Sequence, residues 1–530
     1  MPPNRRELLQ SAGAAALGSA LGAIGPSAAR AETSDDLPID AVFAKFMRDI
    51  GGAADDSGGA VTFVGADPIV RSHFRIGACM AVPAMAAAVG AAAIWRERTG
   101  QAQDLEVDLR ESVYNVLPYV GFVLQKKQAL GLIDPDDPLP AGFTWRPLVN
   151  DRELQLPLLF GNPLSFAFFE TKDGRMVTPT GLYPRHFVGF LNILRAPPER
   201  EAIAAAVRTW NAEDLDEIVA EAGMVMGIHR TADEWAAHPQ GQYLAARPLI
   251  EIVKIGDSEP VPFSPDPIQP LSGIRAISCS HVIASTTASR TLAEYGAEVL
   301  HVARDQSYEH EGLIVDVNVG MRSTLLNLKD PEHNRTLKGL LPRADVFVEG
   351  FRGRAMDGLG FGGEQVAHEK PGIIYLSCRA YGWDGPWWNR AAFDMEALTV
   401  TGFTLAEGAG GRPRFPPTMV LNDYIAGYIG AAGVLAALRR RAREGGSYHV
   451  RISLARAAMW FMSLGSFPTT DFDPTAPDHR MIPLRTLRAQ TPYGEVDRLA
   501  PQVKLSKTPG RWRDPLVAVR GGDLPVWSGG

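Results

Sequence analysis

A chain of 530 residues with a formal net charge of −7, 45% hydrophobic residues and 21% charged residues has room for several domains and the composition of an ordinary globular protein. No basic stripe of the kind that grips a phosphate backbone is present, which excludes nucleic acid as a partner. The three cysteines, Cys79, Cys279 and Cys378, stand far apart with neither CxxC nor His/Cys ligand spacing, so the sequence indicates no disulfide framework and no metal site.

The N-terminus carries Arg5-Arg6, then a mildly apolar Ala/Gly/Leu stretch to Gly25 and the small-x-small run Ala29-Arg30-Ala31. Residues 1–31 therefore resemble a twin-arginine export signal, with a disordered Ala-rich extension as the alternative. No later segment reads as apolar and long enough to span a bilayer, so no membrane association is expected.

Residues 36–159 contain the first half of an internal echo. Segments 86–109 and 431–454 align without gaps at an offset of 345, matching at Ala86, Ala87, Val89, Ala91, Ala92, Arg96, Arg98, Gly100 and Leu109. Each reads as an Ala-rich helix, a basic Gly turn and a strand, which makes 36–159 a degenerate first copy of elements found later. Asp423 falls opposite Ala78, so the first copy lacks that carboxylate.

Residues 160–235 read as a small α+β domain. Lys172-Asp173-Gly174 between Phe166–Glu170 and Arg175–Pro179 signals a hairpin. Helical patterns follow at about 185–195, 199–210 and 213–222, and Thr231 with Glu234 forms a capping box. The prolines at 260, 262, 265, 267 and 270 mark 236–269 as a linker.

From 270 to 465 a βαβ pattern predicts a Rossmann-like, doubly wound parallel sheet. Strands are expected at Ile274–Val282, Glu298–Val302, Asp345–Val348 and Ile373–Ser377, with a helix at Thr287–Gly296. The first turn, His281-Val282-Ile283-Ala284-Ser285, lacks the GxGxxG of a dinucleotide site. Arg304 after the second strand suits a phosphate better than a ribose diol. Residues 466–530 form a Pro/Gly-rich C-terminal segment.

Asp423 lies at the mouth of the proline-free run Gly427 to Leu438, closed by Arg439-Arg440-Arg441. That places it in the first turn of a long helix, where unpaired N–H groups and the helix dipole favour a carboxylate. A structural N-cap and a nucleophile for acyl carbon are both compatible with that position.

Six blocks in order narrow the choice. They are Pro270–Arg275 (PLSGIR), Arg290–Leu300 (RTLAEYGAEVL), Arg322–Glu332 (RSTLLNLKDPE), Ala344–Phe351 (ADVFVEGF), Tyr381–Pro386 (YGWDGP) and the Asp423 helix. In this series the chain resembles family III CoA-transferases, which include formyl-CoA and crotonobetainyl-CoA transferases. The match covers about 270–460, while 75–265 resembles the later part of the same family's sequence, so the two halves stand in reverse order or are partly duplicated. The resemblance implies an enzyme that moves CoA from an acyl-CoA to a small carboxylic acid, with Asp423 as nucleophile through an aspartyl anhydride and an aspartyl-CoA thioester. It further implies that His281, Ile283 and Ala284 line the coenzyme A site. Arg304, Leu326, Lys329, Phe351 and Arg379 match positions that contact the nucleotide or pantetheine, although each cation alone also reads as a surface charge. Family members form interlocked homodimers, and the same is expected here. CoA supply favours the cytoplasm, and a working export signal would favour the periplasm.

Departures from the family are visible. Gly350 stands where Asn is frequent and Gly358 where some members carry an Arg, with Arg352 and Arg354 nearby. A related α-methylacyl-CoA racemase would keep the Asp and place a His where Phe393 stands. A CoA-ester lyase and an exported, non-catalytic acyl-binding protein are the remaining alternatives.

Overall fold

The computed structural model describes residues 37–116, 148–153, 162–304 and 310–529; segment 1–31, expected to resemble an export signal, lies outside them. The centre of the molecule is a seven-stranded sheet. In spatial order its strands are Arg322–Leu325, Glu298–Ala303, Arg275–Cys279, Val346–Glu349, Ile374–Arg379, Ser447–Ser453 and Glu251–Gly256, the last antiparallel and the others parallel. Numbering the parallel strands along the chain gives the order 3-2-1-4-5-6, which reverses direction beside Arg275–Cys279 and leaves a crevice there.

Alternation along these strands makes the sheet doubly wound. Ala276, Val346, Val348, Ile374, Leu376 and Val450 point to one face, under the helices Ala284–Glu294 and Asn422–Glu444. Ile277, Leu300, Phe347 and Tyr375 point to the other, under Pro331–Leu340 and Gly363–Glu369. Residues buried on both faces explain why these strands read as near-continuous apolar runs.

The echo at offset 345 is a structural repeat. The helix Ile76–Thr99, the αL turn at Gly100 and the strand Gln103–Asp108 correspond to Asn422–Glu444, Gly445 and Ser447–Ser453. Asp108 and its counterpart Ser453 each cap the helix that follows the strand. The strand pairings repeat too. Gln103–Asp108 runs parallel to Gly58–Val64 and antiparallel to Val503–Leu505, as Ser447–Ser453 does with Ile374–Arg379 and Glu251–Gly256. The two long helices pack together where Gly90 faces its own equivalent, Leu435, with 3.0 Å between the Gly90 Cβ position and the Leu435 Cβ. The first copy is thus part of the main core.

Two expectations need correction. The helix Ile76–Thr99 is long and apolar enough to cross a membrane, contrary to the reading that no such segment exists, but its apolar stretch Ile76–Ile94 is buried in the protein. The span 236–269 is a linker only in its Pro-rich half; the helix Pro239–Ala245 and the sheet-edge strand Glu251–Gly256 precede the first proline of the cluster. The Pro/Gly-rich segment from 466 carries a hairpin of Thr486–Thr491 and Gly494–Leu499 and the strand Val503–Leu505, which completes the first copy's sheet. Its Arg498 donates to the carbonyl of Asp316 at 3.1 Å, and the Asp316 carboxylate accepts the Tyr424 hydroxyl at 2.6 Å, tying this segment to the start of the Asp423 helix.

The small domain matches its sequence pattern and adds a strand. Phe169–Glu170 and Met176–Pro179 form the hairpin, with Met226–Ile228 as an additional antiparallel neighbour. Helices Pro184–Leu194, Arg200–Val207 and Ala212–Glu221 cover it around Phe190, Ile203, Leu215 and Val219. The Thr231–Glu234 capping box is formed.

Candidate active site

A cavity of about 1000 Å³ opens between the C-terminal ends of the parallel strands and the small domain. All nine residues selected from the sequence line it: Asp423, His281, Ile283, Ala284, Arg304, Leu326, Lys329, Phe351 and Arg379. They arrive from six separate segments, each placed by the end of a strand or the start of a helix, as the switch-point rule for open α/β sheets requires.

Asp423 is the second residue of the helix Asn422–Glu444 and is 5% exposed. Its backbone N–H donates to Asp394 Oδ2 at 2.7 Å, and the Asn422 amide also bonds to that carboxylate. Asp394 therefore takes the capping role, which leaves the Asp423 side chain available to the cavity. The first copy keeps the same device with Ala78 in place of the carboxylate, since Asp67 accepts from Gly77 and Ala78 at 2.8 Å each. Asn422 is held by its Nδ2 donating to the Leu454 carbonyl at 2.9 Å.

Three buried carboxyls share this corner. Burial raises Asp423 above the usual carboxylate range, helped by the charge of Glu396. Burial also raises Asp394, helped by the charge of Asp423 and opposed by its two amide bonds. Two acids this close in a dry site do not both ionise cheaply, so the pair holds a proton above the usual carboxylate range. Glu396, also raised by burial, accepts from the Phe393 amide at 3.1 Å and from the Thr180 hydroxyl. Neither Asp394 nor Glu396 was marked from the sequence. Their link to Asp423 is tertiary, and the only local hint was their place just before an apolar run.

The first strand-to-helix turn is strained. Val282 sits at φ 64°, a left-handed conformation that a β-branched residue adopts at a cost of about 1–3 kcal/mol. The turn is braced by hydroxyls: Ser278 bonds Ser280 at 2.6 Å and Ser289 at 2.7 Å, and Thr286 donates to Ser280 at 3.0 Å. His281 is carried on it and meets the Tyr183 hydroxyl at 3.5 Å.

The cations take positions around the sheet's C-terminal edge. Arg304 and Lys329 follow two adjacent strands, and Arg379 ends the strand Ile374–Arg379. The Arg379 guanidinium lies 5.2 Å from the Trp383 ring, and its Nε is buried without a hydrogen-bond partner among the described residues. Arg520, from the C-terminal segment, joins the same wall by donating to the Arg304 carbonyl at 3.3 Å. The two glycine departures have different causes. A side chain at 350 would collide with Ser285, whose Oγ lies 2.2 Å from the Cβ position, whereas nothing stands within 4 Å of a Cβ at 358.

On the opposite wall the small domain contributes Tyr183, Arg185 and His186. Tyr183 stacks on Phe393 at 6.0 Å, and the His186 ring meets Phe393 edge-on at 5.8 Å. No imidazole occupies position 393. Burial, with the nearby charges of Arg185 and Arg352, lowers His186 to about 4, so it is neutral at physiological pH.

Comparison with known proteins gives this geometry a family context. Residues 271–487 match the model for CoA-transferase family III. The chain is 30% identical over 326 residues to acetyl-coenzyme A transferase nodX of Hypoxylon pulicicidum, covering 56% of this chain and 54% of that protein. It is 29% identical over 192 residues to succinyl-CoA:glutarate CoA-transferase of Mus musculus, covering 34% and 44%. It is also 29% identical over 211 residues to acetyl-CoA:oxalate CoA-transferase of Acetobacter aceti, covering 37% and 54%. The chain spans about half the length of the curated relatives it matches.

Proposed function

We propose that this chain, whose residues 271–487 are a CoA-transferase family III region, moves CoA from an acyl-CoA thioester to a carboxylic acid with Asp423 as the relay. The observation that carries this reading is the Asp423 carboxyl itself. It is buried at a helix start, released from capping by Asp394, and faces a cavity walled by Arg304, Lys329 and Arg379.

The chemistry follows from the exchange required. The Asp423 carboxylate attacks the thioester carbonyl; the C–S bond breaks, CoA leaves as thiolate, and an aspartyl anhydride remains. The thiolate attacks the Asp423 carbonyl of that anhydride, which releases the donor acid and leaves an aspartyl-CoA thioester. The acceptor carboxylate then attacks this thioester to form a second anhydride. Return of the thiolate to the acceptor's carbonyl yields the new acyl-CoA and regenerates Asp423. Each step exchanges one acyl–oxygen or acyl–sulfur bond for another, so no external proton or electron is consumed. Desolvation strengthens the carboxylate as a nucleophile, and the anhydride is protected where water is excluded.

Arg304, Lys329 and Arg379 serve the CoA phosphates, with His281, Ile283, Ala284, Leu326 and Phe351 along the rest of the coenzyme. Alanine at each of the three cations is expected to weaken CoA binding by about 1–3 kcal/mol, more so in low salt. Calorimetric titration checks this, and unchanged affinity in all three variants would return them to the surface-charge reading. The overall proposal is tested by incubating the protein with acetyl-CoA or succinyl-CoA and a panel of carboxylic acids and following new thioesters by mass. Formation of no new thioester with any pair would overturn it.

Phe393 separates transfer from racemisation. A phenyl ring exchanges no proton, so deuterium from heavy water is not expected to enter the α-position of a 2-methylacyl-CoA at a catalytic rate. Rapid α-deuteration that is lost in Asp423→Asn, without CoA transfer, would favour the racemase.

A further inference from the structure

Glu349 ends the strand Val346–Glu349 and is 3% exposed, behind the cavity wall rather than on it. It stands in register between Cys279 and Ser377 of the two neighbouring strands. Its Oε2 accepts the Phe351 amide at 2.7 Å, and the carboxylate also accepts the Ser377 hydroxyl. That hydroxyl belongs to a longer chain. Ser377 Oγ lies 2.7 Å from His449 Nε2, and Arg451 Nε donates to His449 Nδ1 at 3.2 Å. Burial and the charges of Arg451 and Arg379 lower His449 well below its usual range, so the ring is neutral. An arginine only donates, so Nδ1 is the acceptor and the ring proton sits on Nε2. Nε2 then donates to Ser377, which leaves the serine hydrogen for Glu349. The direction of every bond is set from the Arg451 end, and Glu349 has to accept from two donors, the role of a carboxylate.

Two parts of the cavity wall depend on this carboxylate. Gly350, Phe351 and Arg352 follow Glu349 directly and line the cavity. Their turn is pinned on both sides, since Gly350 fits closely against Ser285 and the Phe351 amide is held by Glu349. Arg379, two residues beyond Ser377 on the same strand, lines the cavity as well and is attracted by the Glu349 charge. Burial raises Glu349 to about 7, while the Phe351 amide, the Ser377 hydroxyl and the Arg379 charge favour its ionised form. Asp357, from the helix Ala355–Gly358, opposes ionisation. Cys279, Tyr375 and Cys378, the other titratable groups beside it, are raised by burial and stay neutral. The charge of Glu349 therefore changes within the neutral range.

We propose that Glu349 is a positioning residue for coenzyme A: held as a carboxylate by the Arg451–His449–Ser377 chain, it fixes the Gly350–Arg352 turn and steadies Arg379, and CoA binding weakens when it takes up a proton. Protonation makes one of its oxygens a donor, so either the Ser377 hydroxyl or the Phe351 amide loses its acceptor. Arg379 loses its counter-charge at the same time. A residue that acts on the coenzyme and not on Asp423 shows its loss in KM for the acyl-CoA and not in kcat. This rests on the CoA-transfer reading for its place in the reaction, whereas the affinity for CoA is measured without turnover.

Glu349→Gln keeps the shape of the side chain, removes its charge and replaces one acceptor by a donor. In calorimetric titrations with CoA at about pH 8 this variant is expected to bind about tenfold more weakly than the unmodified protein. At about pH 6 the unmodified protein is itself protonated at Glu349, and the two affinities are expected to agree within about threefold. Taking the ratio at each pH cancels what the CoA phosphates and Asp423 contribute to both proteins. Ser377→Ala removes one donor to the carboxylate and carries the test if glutamine disturbs the fold. In it the loss of CoA affinity on acidification is expected to set in at higher pH. A ratio near one at the higher pH, a ratio that is the same at both, or an unmoved pH dependence in Ser377→Ala would assign the chain to the core alone and overturn the proposal. A fall in kcat with KM for the acyl-CoA unchanged would overturn it too. The expected affinities without CoA transfer to any acid would count against the transferase reading and leave the role of Glu349 standing.

Discussion

Asp423→Asn is expected to lower CoA transfer by at least about four to five orders of magnitude, a loss on the order of 5 kcal/mol or more in transition-state stabilisation. Asparagine keeps the shape of the side chain and leaves the backbone amide bond to Asp394 in place, but it cannot form the anhydride or the aspartyl thioester. The same variant should be more stable than the parent. Asp423 is held in the folded protein at about 7, well above its unfolded value near 3.8. Between those values the folded state binds more protons than the unfolded state, so wild-type stability falls as pH rises through that window. Asparagine does not titrate, and its advantage should grow from about pH 4 to about pH 7, reaching on the order of 1–3 kcal/mol. Denaturant titrations at several pH values read this directly. A variant that is inactive and less stable at neutral pH would mark Asp423 as a structural cap.

Gly427→Val is expected to destabilise the protein by about 3 kcal/mol or more. A Cβ at 427 would lie 2.5 Å from Thr287 Cβ and 2.6 Å from the Ala284 carbonyl oxygen, one of which is backbone. Glycine inside a helix costs about 1 kcal/mol relative to alanine, so its presence here reflects the close approach of two helices. Valine would force apart the Asp423 helix and the helix that begins at Ala284, shifting two parts of the cavity at once. Thermal or denaturant unfolding with wild-type stability in this variant would show that the helices can separate at little cost.

Four of the five strands between 275 and 379 were legible because residues buried on both faces leave continuous apolar runs, located to within a few residues; the short edge strand Arg322–Leu325, with no such run, was not read as a strand. The Asp423 helix was legible from its small-residue run and its basic exit. The repeat was legible from Arg96, Gly100 and Leu109 matching Arg441, Gly445 and Leu454, since these positions set the exit turn and the next strand. Strand Glu251–Gly256 was hidden by the nearby prolines, although Ile250, Ile252, Val253 and Ile255 had the β-branched content of a strand. The site was half legible. Side chains on strand ends follow from topology, whereas Asp394, Glu396, Tyr183, Arg185 and His186 enter through contacts between segments remote in sequence. Val282 at positive φ contradicted its own propensity, which local reasoning has no means to foresee.

The central claim is that Asp423 becomes covalently acylated, and trapping measures that most directly. The protein is mixed with succinyl-CoA, quenched with hydroxylamine and digested, and the peptide containing Asp423 is examined by mass spectrometry. The account predicts a hydroxamate at Asp423 that depends on the thioester and is absent when the protein is incubated with CoA and succinate separately. CoA transfer proceeding with Asp423 unmodified, or a hydroxamate formed at another residue, would contradict it.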